Sequence, residues 1–252
     1  MTPDSFSDGG HFLNPIEAVS QAQKMNKQGA HIIDIGGEST RPGSLPVDDV
    51  EEMSRVLPVL EILCREFNFT VSIDTTKAQV ARKALEKGAK ILNDVSGLSD
   101  SNMLDVIREH QPRVVLMHSK GTPQTMKGMT STLCEITDFF KLKIQLLLSL
   151  GLSPDQIILD PGLGFGKTTA DNWNILKNIR IFKSLGCSIL LGASRKSFLG
   201  EFTGLAPAER DCATHAVSAW AYFQDIEYVR VHDVSGTSQT FKVLSQLKDF
   251  ND

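Results

Sequence analysis

The strongest constraint on the fold is a regular alternation of two patterns along the whole chain. Short apolar runs rich in Val and Ile recur, each closed by a small or polar residue: HIIDIGG, TVSIDT, KILNDVSG, RVVLMH, QIILDPG, SILLGAS and YVRVHDVSG. Continuous apolar runs of this kind are typical of strands buried on both faces of a parallel sheet. Stretches with helical periodicity lie between them. The sequence therefore predicts a series of βα units.

The helical patterns outnumber the strand patterns by one. The first helix begins at Asn14-Pro15-Ile16-Glu17, which resembles a capping box, and ends at Gly29. The others cover residues 47–66, 76–88, 101–110, 132–150, 170–185, 208–224 and 235–248. The alternation allows a doubly wound open sheet or a closed barrel. A helix with no strand ahead of it favours an α/β TIM-type (β/α)8 barrel, with strand 1 upstream of residue 1 or truncated.

The remaining sequence features indicate a single domain without a membrane or nucleic-acid partner. No linker or shift of composition divides the 252 residues, so residues 1–252 are expected to form one barrel domain. The net charge of −4 argues against a general nucleic-acid binder. No run approaches the roughly 18 apolar residues that span a bilayer, and we expect a cytoplasmic protein. Its cysteines, which lack metal-binding spacing, are expected to be reduced: Cys64, Cys134, Cys187 and Cys212.

Polar side chains gather where the predicted strands end. They are Asp34, Asp74, Asn93, Asp94, His118, Asp160, Ser194, Arg195, Lys196, Arg230 and His232. In a barrel, all strand C-termini open onto one face, where the βα loops build the active site. A single Asp at such a place is more often a helix cap, and we assign that role to Asp94 and Asp233. His118 receives no role.

Two loops raise the question of phosphate binding. The glycine-rich DPGLGFGK, residues 160–167, does not have the spacing G-x-x-x-x-G-K-[ST]. A functional loop and a flexible βα connection stay equally open for it. In ESTRPG, residues 38–43, the guanidinium of Arg41 has the geometry to clamp a phosphate. The alternative for Arg41 is a solvated cation on a loop.

Seven motifs taken together resemble the dihydropteroate synthases of folate biosynthesis. TPDSFSDGG, DIGGESTRPG, SIDT, NDVSG, DPGLGFGK, GASRKS and RVHDV occur in the order of that family and cover essentially the whole chain. The resemblance implies a TIM-type barrel, a homodimer and a transferase. The implied reaction joins p-aminobenzoate to 6-hydroxymethyl-7,8-dihydropterin diphosphate and releases diphosphate through a dissociative step.

The resemblance also assigns residues to the pterin and to the leaving group. Asp74, Asn93, Asp160 and Lys196 would hydrogen-bond to the pterin ring, and Arg230 would lie over its face. Asp74 would in addition stabilise positive charge that develops in the pterin. Arg41 and His232 would donate hydrogen bonds to the leaving diphosphate. The catalytic residues that the resemblance implies are therefore Asp74, Lys196, Arg41 and His232.

The p-aminobenzoate and metal sites follow from the same resemblance. The residues implied for p-aminobenzoate are Phe6, Thr40, Pro42, Phe165, Lys196 and Ser197. Ser197 and amides at the start of the next helix would hold the carboxylate. Asp8, in an opening loop that we expect to act as a mobile lid, would bind Mg²⁺ next to the diphosphate. A second metal ligand of the family, an asparagine, would fall before Met1.

Two alternatives remain at this point. A pterin-dependent methyltransferase domain would share the pterin-binding Asp74, Asn93 and Asp160, but it would not need SRKS or TRPG. A catalytically silent, pterin-binding paralogue is supported only by the metal-binding asparagine that the chain does not contain. We expect an active transferase.

Overall fold

The fold is a parallel α/β sheet flanked by helices. A computed structural model describes residues 14–40, 44–121 and 130–249. Its strands are β1 Ile32–Gly36, β2 Thr70–Asp74, β3 Ile91–Asp94, β4 Arg113–Met117, β5 Ile157–Asp160, β6 Ser188–Leu191 and β7 Tyr228–Val229. They form one sheet in the order β1 to β7, and every neighbouring pair is parallel. Each strand matches one of the predicted apolar runs.

The strand order decides between the two predicted architectures. A doubly wound sheet reverses its order at a switch point, and this sheet runs sequentially without a reversal. Right-handed crossovers in one direction place the helices on one side, so the other side is buried by curling the sheet toward a barrel. On that inner side Ile91, Val115 and Ile158 pack together. The predicted α/β, barrel-type fold is confirmed, and the placement of a further strand ahead of residue 1 stays a prediction.

The described residues contain nine α-helices, one more than the sequence patterns predicted. They are α1 Pro15–Lys27, α2 Asp49–Arg65, α3 Ala78–Glu86, α4 Ser101–His110, α5 Leu133–Ser149, α6 Thr169–Lys177, α7 Ser197–Thr203, α8 Asp211–Phe223 and α9 Val234–Asp249. The additional helix is α7, which is too short to show a helical period. Short 3₁₀ helices cover Pro154–Gln156, Ile179–Leu185 and Pro207–Glu209.

The helix predicted over 170–185 is wrong in its second half. Helix α6 ends at Lys177, and a 3₁₀ helix continues from Ile179. Ile179 and Phe182, three residues apart, are both buried. A 3₁₀ helix has three residues per turn, so it turns both side chains toward the core. The first helix begins as predicted, since the side chain of Asn14 accepts from the amide of Ile16 at 3.0 Å.

The main hydrophobic core lies between the sheet and its helices. Every second strand residue points into it, as Leu92, Leu116 and Leu159 do, and these side chains are fully buried. The intervening residues point to the inside of the curled sheet, where Asn93 and Asp160 are also buried. This alternation separates a stabilising apolar face from an inner face that carries polar groups.

All four cysteines are free thiols, as predicted. Within residues 14–40, 44–121 and 130–249, no helix has the length and apolar character needed to cross a bilayer.

Candidate active site

The strand ends bring most of the predicted pterin residues into one cluster. Asp74 and Asn93 are register partners on β2 and β3. Nη2 of Arg230 donates to Oδ2 of Asp160 at 2.7 Å, and Nη1 of Arg230 lies 3.6 Å from Oδ2 of Asp34. Nδ2 of Asn93 donates to the same Asp34 oxygen at 3.2 Å. These five residues form what is called here the inner polar cluster.

Asp34 is the member of this cluster to which the sequence analysis gave no role. It lies in β1 between Ile33 and Ile35, both of which are buried in the main core. The alternation of a strand therefore turns Asp34 to the inner face. The sequence signal for Asp34 is a carboxylate between two apolar residues of a predicted strand, which places it on the face opposite to the main core.

The inner polar cluster holds two acceptors that the described residues leave unpaired. Oδ1 of Asp74 and Oδ1 of Asn93 are buried and have no hydrogen-bond partner among the described residues. A buried acceptor without a partner carries a desolvation cost of about 1–3 kcal/mol. Because the two residues are neighbours across β2 and β3, one flat ligand with N–H donors could satisfy both acceptors.

The charge state of Asp74 is set by its surroundings. Burial raises the pKa of the Asp74 carboxyl well above its usual value, and the nearby carboxylate of Asp34 raises it further, whereas Arg230 opposes both effects. The carboxyl is therefore held toward its neutral form in the ligand-free site. A bound donor or a developing positive charge would shift it back toward the carboxylate.

Lys196 connects the cluster to the glycine-rich loop. Its Nζ donates to the carbonyl oxygen of Leu163 and lies 4.6 Å from the centre of the Phe165 ring. Burial lowers the pKa of Lys196 to about 7; Asp160 acts to raise it, and Arg230 lowers it further. Lys196 thus interacts both with Asp160, a predicted pterin residue, and with Phe165, a predicted p-aminobenzoate residue.

The glycine-rich loop, residues 160–167, packs closely against the end of β4 and the residues that follow it. Gly162 and Gly166 have positive φ, and a Cβ on either would lie 2.0 Å from the carbonyl oxygen of His118 or Lys120. Nζ of Lys167 donates to the carbonyl oxygens of His118 at 2.8 Å and of Gly162 at 2.9 Å. The lysine holds the loop against the end of β4.

His118 belongs to this packing and stays neutral. Burial lowers the pKa of His118 to about 3, and the charges of Lys167 and Lys120 lower it as well. Its ring packs edge-on against Phe139 with 5.1 Å between the ring centroids. His118 supports the loop through its backbone.

A cavity of about 460 Å³ opens beside the inner polar cluster. Its walls include Thr40, Asp74 and Phe165, which the resemblance had assigned to two different substrates. The cavity therefore reaches from the cluster toward the second βα loop and the glycine-rich loop. A two-substrate reaction requires such a connection between its subsites.

The remaining predicted site residues fall into two groups. Nδ1 of His232 lies 2.8 Å from Oγ of Ser194, which also accepts from the His232 backbone N–H at 3.2 Å. Ser197 is the exposed first residue of α7. Four residues lie outside the described part of the chain: Phe6, Asp8, Arg41 and Pro42.

One of the two predicted helix caps is wrong. Asp233 caps α9, since its Oδ1 accepts from the amide of Gly236 at 3.0 Å. Asp94 instead accepts from the amides of Ser96 and Leu98 inside the βα turn, and α4 is capped by Asp100. The cap was misplaced because the turn inserts several residues between the strand and the helix.

The described residues do not supply a metal site. In the three described ranges, no group of three or more His, Cys, Asp or Glu side chains could hold a metal ion. The predicted ligand Asp8 lies outside these ranges. Mg²⁺ binding therefore stays a prediction.

Comparison with known proteins identifies the family. A family model described as pterin binding enzyme matches residues 1–232. Dihydropteroate synthase of Synechocystis is 44% identical over 251 residues, which cover 98% of this chain and 87% of that protein. The chain belongs to the dihydropteroate synthase family. The predicted family and the predicted enzyme class, a transferase, are confirmed.

Solved structures of dihydropteroate synthases share the fold. The Yersinia pestis enzyme in complex with a sulfonamide drug has a TM-score of 0.95 at 36% identity, covering 98% of this chain and 91% of that one. The Xanthomonas albilineans enzyme with 4-aminobenzoic acid has a TM-score of 0.89 at 36% identity, covering 96% of this chain and 88% of that one. The whole described sheet and its helices therefore correspond to a dihydropteroate synthase.

Proposed function

We propose that the chain condenses 6-hydroxymethyl-7,8-dihydropterin diphosphate with p-aminobenzoate to give 7,8-dihydropteroate and diphosphate in folate biosynthesis. The observation that carries the proposal is the pair of buried acceptors on Asp74 and Asn93, which have no partner in the part of the chain that the structure describes. A pterin presents several N–H donors in one plane, and neighbouring acceptors on parallel strands match such an edge. The cluster also supplies Asp160, buried and fixed by Arg230.

In this proposal the inner polar cluster holds the pterin. Asp160, Asn93 and Asp74 accept from the ring nitrogens and the 2-amino group, and Lys196 donates to the carbonyl edge. Arg230 lies against the ring face while its ion pair with Asp160 fixes the carboxylate. These roles make recognition depend on a matched set of donors, because an analogue without them leaves buried acceptors unpaired.

The reaction needs stabilisation of a cation. The carbon–oxygen bond to diphosphate breaks, the leaving group takes the electron pair, and positive charge spreads into the pterin ring. Binding of the pterin, whose ring N–H groups donate to Asp74, shifts this residue to its carboxylate form, and its proton is released to solvent. The carboxylate then stabilises the positive charge as it develops. The amine of p-aminobenzoate then attacks the carbon and loses one proton to solvent, which gives the secondary amine of 7,8-dihydropteroate.

The second substrate and the leaving group occupy the outer part of the site. We assign p-aminobenzoate to Thr40, Phe165, Lys196 and Ser197, together with Phe6 and Pro42. Arg41 and His232 hold the diphosphate, and Ser194 orients the imidazole of His232. Mg²⁺ at Asp8 would neutralise charge on the diphosphate. A homodimer, a single barrel domain and a cytoplasmic location complete the proposal as predictions.

The test is diphosphate release by the purified chain. We expect release from the pterin diphosphate only when p-aminobenzoate is present, and 7,8-dihydropteroate as the product in mass spectrometry. Binding of the pterin diphosphate without release would support the silent paralogue. Transfer of a methyl group from a methylated pterin would support the methyltransferase alternative, and absence of pterin binding would reject all three.

A further inference from the structure

A half-buried lysine joins three elements next to the proposed site. Nζ of Lys77 lies 2.5 Å from Oε2 of Glu52 and also contacts a carboxylate oxygen of Glu38. Lys77 precedes α3, Glu52 lies in the first turn of α2, and Glu38 follows β1. The side chain of Glu52 is 1% exposed, and those of Lys77 and Glu38 are 19% and 21% exposed. These three residues are called the Lys77 anchor.

The anchor holds the segment that leads to Thr40. The backbone of Gly37 packs so closely on Glu52 that a Cβ at Gly37 would lie 2.8 Å from Cγ of Glu52. Nη1 of Arg55 donates to the carbonyl oxygen of Gly37 at 2.8 Å. Glu38, next along the chain, is tied to Lys77. Residues 37 and 38 are therefore fixed from α2 and from α3 at once.

The residues on the other side of this loop, from Ser44 to Val47, are also connected to Glu38 and its neighbour Ser39. Oε2 of Glu38 accepts from the amide of Val47 at 3.5 Å. Oγ of Ser44 donates to the carbonyl oxygen of Ser39 at 2.6 Å. Glu38 thus accepts hydrogen bonds both from Lys77 and from the amide of Val47, which lies shortly before α2. A shift of Glu38 would move both ends of the loop.

The position of this loop matters for the cavity. Glu38, Glu52 and Thr40 all line the cavity that contains Asp74 and Phe165. Thr40 follows Glu38 by two residues, so its place in the wall depends on where Glu38 is held. Nothing in the proposed chemistry requires Lys77 to contact a substrate.

We propose that Lys77 is a positioning residue for the p-aminobenzoate subsite, because it holds Glu38 against Glu52 and thereby places Thr40 in the cavity wall. This inference rests on the proposed function for the identity of the substrate. Its structural part, the fixing of residues 37–40, does not. A buried ion pair is weak support for stability but it can specify one arrangement over others. Two carboxylates on one ammonium fix the relative positions of β1, α2 and α3.

The chain offers a matched control at the other end of α3. Nζ of Lys87 lies 2.5 Å from Oε2 of Glu61, so a second lysine connects α3 to α2. Both side chains are about one-third exposed, at 32% and 33%. This pair has the same chemistry and joins the same two helices, but Lys87 follows the C-terminal end of α3, away from the strand ends that build the site.

The experiment compares Lys77→Met/Glu52→Met with Lys87→Met/Glu61→Met. Replacing both partners avoids leaving Glu52 charged and unpaired in the interior. In the anchor variant we expect the KM for p-aminobenzoate to rise by about tenfold or more, because a displaced substrate-positioning group costs binding geometry. We expect kcat to change much less, and binding of 6-hydroxymethylpterin, measured by calorimetry, to stay unchanged. The control variant is expected to keep all three values.

Hydrogen exchange provides a readout that does not depend on activity. The amides of residues 37–40 and of Ser44, Leu45 and Val47 should exchange faster in the anchor variant than in the wild type, and they should be unchanged in the control variant. Lys77→Arg, which keeps the positive charge, should have a KM for p-aminobenzoate close to that of the wild type. Should the double variant not fold, Glu38→Gln removes one ion pair at a partly exposed residue and gives the same comparison.

Two outcomes would overturn the proposal: an unchanged KM with unchanged exchange in the anchor variant, or equal effects in the anchor and control variants. A failure of the proposed function looks different. The wild type would then release no diphosphate, whereas exchange at residues 37–40 would still distinguish the two variants and decide whether Lys77 fixes the loop.

Discussion

The two faces of the same strands differ in what they leave unsatisfied. On the outer face, Leu92, Leu116 and Leu159 are fully buried in the main core. On the inner face, one residue along β3, Asn93 keeps a buried oxygen without a partner among the described residues, and so does Asp74 at the end of β2. The outer face holds the fold together, whereas the inner face retains unpaired polar atoms that a ligand can satisfy. The alternation of a strand is enough to separate the two roles.

The largest expected effect tests the inner face. Asp74→Asn keeps the shape of the side chain but cannot form the carboxylate that stabilises positive charge in the pterin. We expect kcat to fall by about a thousandfold, the upper range for removal of one preorganised electrostatic group. The measurement is diphosphate release at saturating substrates.

Stability should respond in the opposite way to the same substitution. Because the pKa of Asp74 is raised in the folded protein, its stabilising contribution is present at low pH and is lost as the pH rises through the folded pKa. At neutral pH the Asp74→Asn variant should therefore be at least as stable as the wild type in thermal unfolding. A large loss of stability at neutral pH would mean that Asp74 serves the fold and not the reaction.

The next effect tests the outer face. Leu159→Ala removes a fully buried side chain from the main core, and we expect the free energy of unfolding to fall by about 2–5 kcal/mol. Denaturant unfolding measures this loss. Calorimetry on the folded variant should show unchanged pterin binding; a selective loss of pterin affinity at unchanged stability would contradict the separation of the two faces.

A smaller effect tests the recognition edge. Asn93→Ala removes both the amide that donates to Asp34 and the unpaired acceptor. We expect pterin affinity to fall by about 10-fold to 100-fold, the loss of one or two buried hydrogen bonds of about 1–1.5 kcal/mol each. The matched control is Leu92→Val, one residue earlier on the outer face, which should affect stability and leave the affinity unchanged.

The smallest effect concerns the pH dependence of p-aminobenzoate binding. Burial lowers the pKa of Lys196 to about 7, while Asp160 acts to raise it and Arg230 lowers it further. A bound carboxylate raises that pKa, so binding should take up a proton above pH 7, and affinity should fall there by at most about tenfold per pH unit. Calorimetry in buffers of different ionisation enthalpy measures the uptake. Lys196→Arg, which is charged at every pH tested, should show no proton uptake. The same uptake in that variant would mean that a group other than Lys196 binds the proton.

The recurring βα pattern could be identified from the sequence because it is local. An apolar run such as QIILD carries its strand identity in its own residues, and its last residue, Asp160, was placed at the site edge for that reason. Helix α7 was missed because seven residues cannot show a period of 3.6. The cap at Asp94 was misplaced because caps depend on where a turn ends, which composition does not specify.

The site was predicted unevenly for a related reason. Asp74, Asn93, Asp160, Lys196 and Arg230 could be named from motifs at strand ends, and the structure brings them close together. Their substrate roles stay proposals. Asp34 was placed among the polar strand ends without a role, and the Lys77 anchor was missed, because the partners of both lie far away in the sequence. Asp34 meets Asn93 from 59 residues away, and Lys77 meets Glu38 from 39 residues away.

The sequence by itself determined the order and type of the elements, the family and the residues available at the strand ends, because these depend on local periodicity and on motifs read in series. Only the tertiary structure decided which of those residues are paired and which keep an unsatisfied atom. Pairing depends on strand register and on packing between distant segments. Arg230 donates to Asp160, whereas Oδ1 of Asp74 has no hydrogen-bond partner among the described residues.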